Sequence, residues 1–219
     1  MKVTQMKGDG KSLKNIELDT VMATMANEEY SREIALLRES LKSIMPGRKN
    51  VHADKIPVLL FAAKFRKKEN ELYFSSYNGV VLVQVNNLAD RREVEKIKKL
   101  ASEAPQTLAA FTGSSGKSVK ILVPFTLPDG SLPQTKELAE LFHAAACRRT
   151  VNYYRGQLQC DIPFENPSLE QGCRFSYDPE LYYNPSAIPL TLEQPMQLSS
   201  EITYREAVEK NEDPLLRLM

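Results

Sequence analysis

The chain is poor in the features that announce the simpler function classes. Among its 219 residues there are three cysteines, Cys147, Cys160 and Cys173, an odd set without a C-x-x-C pair. Disulfide frameworks use even numbers and structural zinc sites usually present ligands two to four residues apart, so neither is indicated. His143, one helical turn before Cys147, would complete four zinc ligands, but nothing in the spacing requires a metal. The thiols are read as reduced and partly buried. No apolar run approaches the roughly 20 residues that span a bilayer, which predicts no membrane partner. The amino terminus, Met1-Lys2-Val3-Thr4-Gln5-Met6-Lys7, lacks the apolar core of a signal peptide, and a cytoplasmic location is the expectation. Internal repeats and low-complexity tracts are also lacking.

Charge of one sign is missing too, since the net charge is only +1. Its distribution is less even than the sum. Residues 1–68 hold 14 Lys and Arg against 8 Asp and Glu, whereas residues 150–219 hold 5 against 11. A basic end permits a phosphate-facing surface, although charge runs are more often solvated faces.

What is present is the composition of a globular protein, 42% apolar and 26% charged. The length suits one large domain or two small ones. Residues 1–50 read as a strand over 2–7, a polar turn at Gly8-Asp9-Gly10, a short helix capped by Asp19 or Thr20 with Val21, Met22 and Met25 inward, and a longer helix over 31–44 with Ile34, Leu37, Leu41 and Ile44 at helical spacing. The apolar runs 57–65 and 71–77 flank the charged stretch 66–70 and predict a hairpin.

The middle is the most sharply patterned part. Residues 80–85 form a buried strand, 90–103 a helix with Val94, Ile97, Leu100 and Ala101 inward, and 107–111 and 119–125 two further strands. A helix over 135–154 follows, with a stripe of Leu138, Leu141, Phe142, Ala145 and Ala146. The order β-α-β-β-α, with a last strand near 157–162 or 173–176, predicts an α+β fold with a split β-α-β core of the ferredoxin or RNA-recognition type. Such sheets often bind nucleic acid across an open face. The predicted division is an amino-terminal helical and strand extension over 1–50, the core over 51–195, and a carboxy-terminal helix or linker over 196–219. From Pro163 onward the chain is proline-rich and should be largely irregular, packed through Phe164, Phe175, Tyr177, Tyr182 and Tyr183.

The loop Gly113-Ser114-Ser115-Gly116-Lys117-Ser118 is the strongest candidate for function. It ends like the ATP-binding G-x-x-x-x-G-K-[ST] loop, yet Phe111 occupies the place of the first glycine. The residues that follow, Val119 to Phe125, are strand formers, whereas that motif opens a helix. A strand-loop-strand phosphate grip is the reading.

Three segments carry a family resemblance. They are residues 78–88, where Asn78-Gly79 precedes an apolar run closing on Gln84-Val85-Asn86; residues 110–123, which contain the loop; and residues 172–185, beginning Gly172-Cys173-Arg174-Phe175-Ser176-Tyr177-Asp178-Pro179. Together, over roughly 55–190, they resemble the VirE amino-terminal family of Bacteroides-type mobile-element replication proteins, itself similar to the archaeo-eukaryotic primase and primase-polymerase superfamily.

That resemblance implies a primase-like nucleotidyltransferase core in which a D-x-D pair and a later aspartate hold divalent metal. A serine and a histidine after a glycine-bearing loop would touch nucleotide phosphates. Here the D-x-D positions are Gln84 and Asn86, the histidine position is Lys120, and the third acid is Asp161, with Asp178 the lesser candidate. Neutral amides hold magnesium poorly, and lysine meets phosphate as a point charge without imidazole geometry. The phosphate side is fuller, with Ser114, Ser115, Lys117, Ser118, Lys120 and Arg174.

The resulting expectation is a non-catalytic, primase-like pseudoenzyme. It would bind single-stranded or primer-template DNA, or nucleotide, beside a helicase or replication initiator in DNA replication of a mobile genetic element. One alternative is an active primase, with Asp161 and magnesium or manganese as cofactor and an overlooked acid such as Asp90 or Glu71. The other is a protein-interaction module using the aromatic stretch 175–183.

Overall fold

The computed structural model describes residues 1–7, 12–43, 50–69, 71–164 and 167–193. The expected turn at Gly8-Asp9-Gly10, the helix end at Ile44, Asn70 and the helix or linker over 196–219 lie outside them.

In chain order the elements are β1 (Lys2–Met6), β2 (Leu13–Glu17), α1 (Leu18–Ala26), α2 (Ser31–Ser40), β3 (Val58–Leu60), β4 (Ala63–Lys68), β5 (Glu71–Tyr77), β6 (Val80–Val85), α3 (Arg91–Ser102), β7 (Ala109–Thr112), β8 (Val119–Thr126), α4 (Lys136–Leu158), β9 (Gly172–Arg174), β10 (Tyr182–Tyr183) and β11 (Leu190–Thr191). The fold is α+β.

At its centre β8 lies between β6 and β7 and runs antiparallel to both, so β6-α3-β7 is a split β-α-β unit. β10 extends this sheet beyond β7, and β11 pairs in parallel with the far end of β8 at Phe125 and Thr126. The strand expected at 157–162 is absent, because α4 continues to Leu158 and Gln159 then turns into the left-handed region at φ 51°. The other candidate, 173–176, does supply β9, but β9 pairs with β3 in a second antiparallel sheet ordered β2-β1-β3-β9. Gly172 is needed there: a Cβ would stand 2.2 Å from the Leu59 carbonyl oxygen.

Each helix of the core has a local reason to start where it does. Asp90 caps α3 by accepting from the Glu93 amide, while the Glu93 carboxylate accepts from the Ala89 amide, a reciprocal cap. Thr135 caps α4 through the Leu138 amide. α1 has no such cap: Asp19 and Thr20 lie inside it, after an extended Glu17. The buried stripe of α4 is rotated from the expected one onto Ala139, Phe142, His143, Ala146, Thr150 and Tyr154, leaving Leu141 51% exposed.

Two apolar layers sandwich the central sheet. On one face Val81, Val83, Val119, Ile121 and Val123 pack with Val94, Ile97 and Ala101 of α3 and Phe142 and Tyr154 of α4. On the other, Val80, Ala109, Phe111 and Leu122 pack with Met22 and Met25 of α1, Ile34 and Leu37 of α2, and Phe61 and Phe175. The amino-terminal extension therefore covers the face that an RNA-recognition sheet leaves open. The alternation Val80, Leu122, Phe111 is apolar for that reason, and nucleic acid cannot lie across it.

The run 57–65 is two strands rather than one. β3 joins β1, with Leu60 opposite Thr4, and the chain then passes through Phe61 and Ala62 into the hairpin β4–β5. A register irregularity at Lys64 and Phe65 is held by the Phe65 amide donating to Thr4 Oγ1 at 2.9 Å. Arg66, Lys67 and Lys68 are strand residues, and the hairpin turns at Glu69 with φ 50°.

On the α4 side His143 hydrogen-bonds with the Tyr77 hydroxyl at 3.1 Å and lies 3.5 Å from Cys147 Sγ. Burial pushes its imidazole down to about 4 and the Cys147 thiol up to about 12. Above pH 6.5 His143 is neutral in both folded and unfolded chains and contributes no pH dependence. As pH falls from 6.5 toward 4 only the unfolded chain gains this proton, so stability should decline across that window. Urea midpoints measured from pH 7 to pH 4 should fall, and the His143→Gln variant should flatten the fall; an equal slope in both proteins would count against a buried neutral imidazole.

Candidate functional site

β7 and β8 are joined by the loop 113–118, a compact turn closed by its own backbone. The Gly113 amide donates to the Ser118 carbonyl at 2.8 Å, and the Gly116 amide to the Gly113 carbonyl at 2.9 Å. Gly116 sits at φ +74°, and a Cβ on Gly113 would fall 2.2 Å from Ser118 Oγ. The loop is a rigid platform of small residues.

Two side chains outside it fix its position. Arg38 of α2 donates from Nε to the Ser114 carbonyl at 3.3 Å and from its terminal nitrogen to the Tyr177 carbonyl at 3.2 Å. Burial lowers its guanidinium pKa, partly countered by the nearby Asp178 carboxylate. Asp178 accepts from the Thr112 amide at 2.8 Å, at the threshold of the loop, and pairs with Lys98 of α3 at 2.9 Å with both side chains only 5% exposed. Burial alone would raise the Asp178 pKa, but the Thr112 amide and the Lys98 ammonium hold it below the usual carboxylate range. Lys98 also meets Glu95 at 3.0 Å.

On the β6 side of the loop, one cavity of about 200 Å³ is lined by Gln84, Asn86, Ser114, Ser115, Ser118, Lys120, Cys173 and Arg174. Lys120 lies directly across the ladder from Gln84. Its ammonium donates to Gln84 Oε1 at 2.7 Å and Asn86 Oδ1 at 2.9 Å and is 8% exposed. These three side chains lie on the sheet face that is apolar at Val80 and Leu122, at the end where that apolar layer stops. Arg174, on β9, donates to the Ala53 carbonyl at 3.2 Å. Burial pushes the Cys173 thiol up to about 12, with Lys120 acting in the opposite direction.

Thus seven residues singled out from the sequence, Gln84, Asn86, Ser114, Ser115, Ser118, Lys120 and Arg174, share one cavity. Lys117 does not join them. It lines a larger chamber of about 550 Å³ on the other side of the loop, with Arg38, Lys42, Asp90, Arg91 and Asp178. Asp161 lines neither cavity; its side chain is 92% exposed and 3.8 Å from Arg155 beyond α4. Glu71 is exposed on the hairpin, and Asp90 is the α3 cap. Among the described residues, no three of His, Cys, Asp and Glu converge as metal ligands.

Sequence reasoning missed Arg38 and Lys98. Each shares its amphipathic helix with at least one other basic residue, a pattern that reads as solvated. The one available signal for Lys98 was its place on the apolar face between Val94, Ile97 and Ala101. In the aromatic stretch 175–183, Phe175 is 1% exposed, Tyr182 and Tyr183 form β10, and the Tyr183 hydroxyl donates to Asp19.

The class defined by this geometry is an α+β domain with a split β-α-β core and a polar cavity at the end of its central sheet, under the β7–β8 loop. The chain belongs to the BT4734-like N-terminal domain family, a Bacteroides family whose model matches residues 51–183. No curated protein and no solved structure matches it. None of the helices among the described residues is long and apolar enough to cross a membrane.

Removing one partner of the Lys98–Asp178 pair leaves an uncompensated buried charge, at a cost of roughly 3–5 kcal/mol. Lys98→Met should lose stability on that scale in chemical denaturation. Asp178→Ala should lose more, because the Thr112 amide is orphaned as well. A loss below about 1 kcal/mol, the scale of an exposed pair, would mean that the pair is solvated.

Proposed function

We propose that this domain is a primase-like module that grips the phosphates of nucleic acid or nucleotide without metal-dependent polymerisation, as part of a Bacteroides-type mobile-element replication protein. The observation that carries the reading is the cavity under the loop. It gathers three serines, Lys120 and Arg174, and among the described residues no carboxylate lines it. Lys120 is held by two neutral amide oxygens, so its positive charge is directed without being neutralised by them. Serine hydroxyls, an ammonium and a guanidinium are donors that suit phosphate oxygens.

The same residues do not fit a catalytic magnesium or manganese ion. Such ions take hard, mostly anionic oxygens, whereas Gln84 and Asn86 already accept from an ammonium that occupies the place a cation would need. Asp161 is not beside them. In this reading the lysine supplies the positive charge that a metal ion supplies in a primase centre. Single-stranded or primer-template DNA is the proposed ligand, with a helicase or replication initiator as the proposed neighbour.

Fluorescence anisotropy with labelled single strands and primer junctions at low salt tests the proposal. Binding should weaken with salt, because phosphate contacts release counterions. Lys120→Met and Arg174→Ala should each cost roughly 1.5–3 kcal/mol of binding, about tenfold to a hundredfold. Arg174 is exposed, so its variant keeps the test valid if the Lys120 variant misfolds. The proposal fails if the wild-type chain binds neither strand nor nucleotide at low salt.

A further inference from the structure

The cavity under the loop does not end at Arg174. A second hollow of about 450 Å³ shares Ser114, Ser115 and Arg174 with it and reaches Ala53 and Asp54 of the short turn Ala53–Lys55. A third, of about 520 Å³, shares Asp54 and opens onto the β1–β2 hairpin, where Lys7, Lys14, Lys55 and Tyr30 line it. Lys14 stands opposite Gln5 across the β1–β2 ladder, and both line this hollow. Along the three hollows the lining cations among the described residues are Lys120, Arg174, Lys55, Lys14 and Lys7, and the lining carboxylate among them is Asp54.

The chamber on the other side of the loop is larger but differently charged. Among the described residues its four lining cations, Arg38, Lys42, Arg91 and Lys117, stand with four carboxylates, Asp90, Glu95, Asp178 and Glu180, of which Glu95 and Asp178 also pair with Lys98. Arg91 lies 3.8 Å from Glu180, and Lys42 is bonded to Glu39. Volume favours this chamber; charge favours the chain of smaller hollows, and for a polyanion charge decides.

We propose that the ligand is a single nucleic-acid strand that runs from the Lys120 cavity past Arg174 and the Ala53–Lys55 turn to the β1–β2 hairpin, leaving the larger chamber empty of phosphate. This rests on the phosphate-gripping reading of the Lys120 cavity and extends it from one phosphate group to a strand. The third hollow also offers an aromatic surface: Tyr30 is half-buried, and its ring centroid is 4.7 Å from that of Phe175. A ring supported from behind in this way is a platform on which a base can stack. The basic amino-terminal third of the sequence thereby gains a role in the track.

The test compares three full-length proteins, the wild type, the triple variant Lys7→Ala, Lys14→Ala, Lys55→Ala, and the pair Lys42→Ala, Arg91→Ala. The probes are a fluorescent oligothymidylate of roughly 15 nucleotides, within single-strand site sizes, its oligouridylate counterpart, and dTTP. The triple variant should bind the oligonucleotide about tenfold or more weakly, and its log affinity against log salt should be shallower by about 2, three contacts at about 0.7 each. Its affinity for dTTP should match wild type, because the Lys120 cavity is untouched, and the Lys42/Arg91 variant should bind the strand as wild type does. The oligouridylate arm assigns the strand to DNA or RNA. An unchanged slope in the triple variant, or an equal loss in the Lys42/Arg91 variant, overturns the track while leaving the Lys120 cavity as a site. Absence of binding by the wild type to every probe removes both.

Discussion

The carboxylate of Asp178 is the point on which the rest of the structure turns. A buried charge persists only if its surroundings supply an opposite charge and donors for its remaining lone pairs. Here the donors come from three separated parts of the chain: the Lys98 ammonium from α3, the Thr112 amide from the end of β7, and the Glu180 amide from the segment after β9. The Asp178 amide in turn donates to the Met25 carbonyl at the end of α1. One residue therefore ties both helical layers and the last strand segment to the point where the loop leaves the sheet. Arg38 repeats the tie from α2, bonding the loop and the carbonyl of the neighbouring Tyr177.

That arrangement explains why a loop of Gly and Ser is ordered enough to form a cavity wall. Small residues alone would leave it with a large conformational freedom to lose on binding. Anchored at Thr112, at Ser114 and by the Lys117 carbonyl accepting from the Leu88 amide, the loop would meet the proposed ligand with that cost already met by folding. The amino-terminal helices matter for the same reason. By filling one sheet face with Met22, Met25, Ile34 and Leu37 they exclude a ligand from it and leave the polar end at Gln84, Asn86 and Lys120 as the opening.

Local periodicity made much of this legible. β6, α3 and β8 have patterns with a single sensible period, and Asp90 with Glu93 marks the start of α3. The loop and four other residues of its cavity, Gln84, Asn86, Lys120 and Arg174, could be picked out because polar residues sit there at strand ends, where an apolar core does not need them. What stayed hidden depends on pairings distant in sequence. Leu13–Glu17, three of its five residues polar, carries little strand signal of its own and forms β2 by pairing with β1. The run 57–65 divides between two sheets for a reason held in Thr4, about sixty residues away. The left-handed Gln159 that ends α4 carries no glycine to announce it.

Net charge is the clearest case of a bulk number hiding a local one. The sum of +1 is compatible with no electrostatic partner at all. What sets the field at a surface is which charges are cancelled at short range, since a neutralised pair contributes little beyond a Debye length of about 8–10 Å. The two sides of the loop differ in this respect. In the larger chamber the described lining residues carry cations and carboxylates in equal number, and two of the carboxylates, Glu95 and Asp178, pair with Lys98 behind the lining. Under the loop, Lys120 donates to two amide oxygens and Arg174 to a backbone carbonyl, and the described residues that line the cavity include these two cations and no carboxylate. In the proposed reading, amides rather than acids at positions 84 and 86 decide the sign of what the cavity would attract: a carboxylate pair there would suit a metal ion, and an ammonium held by amide oxygens would suit an anion.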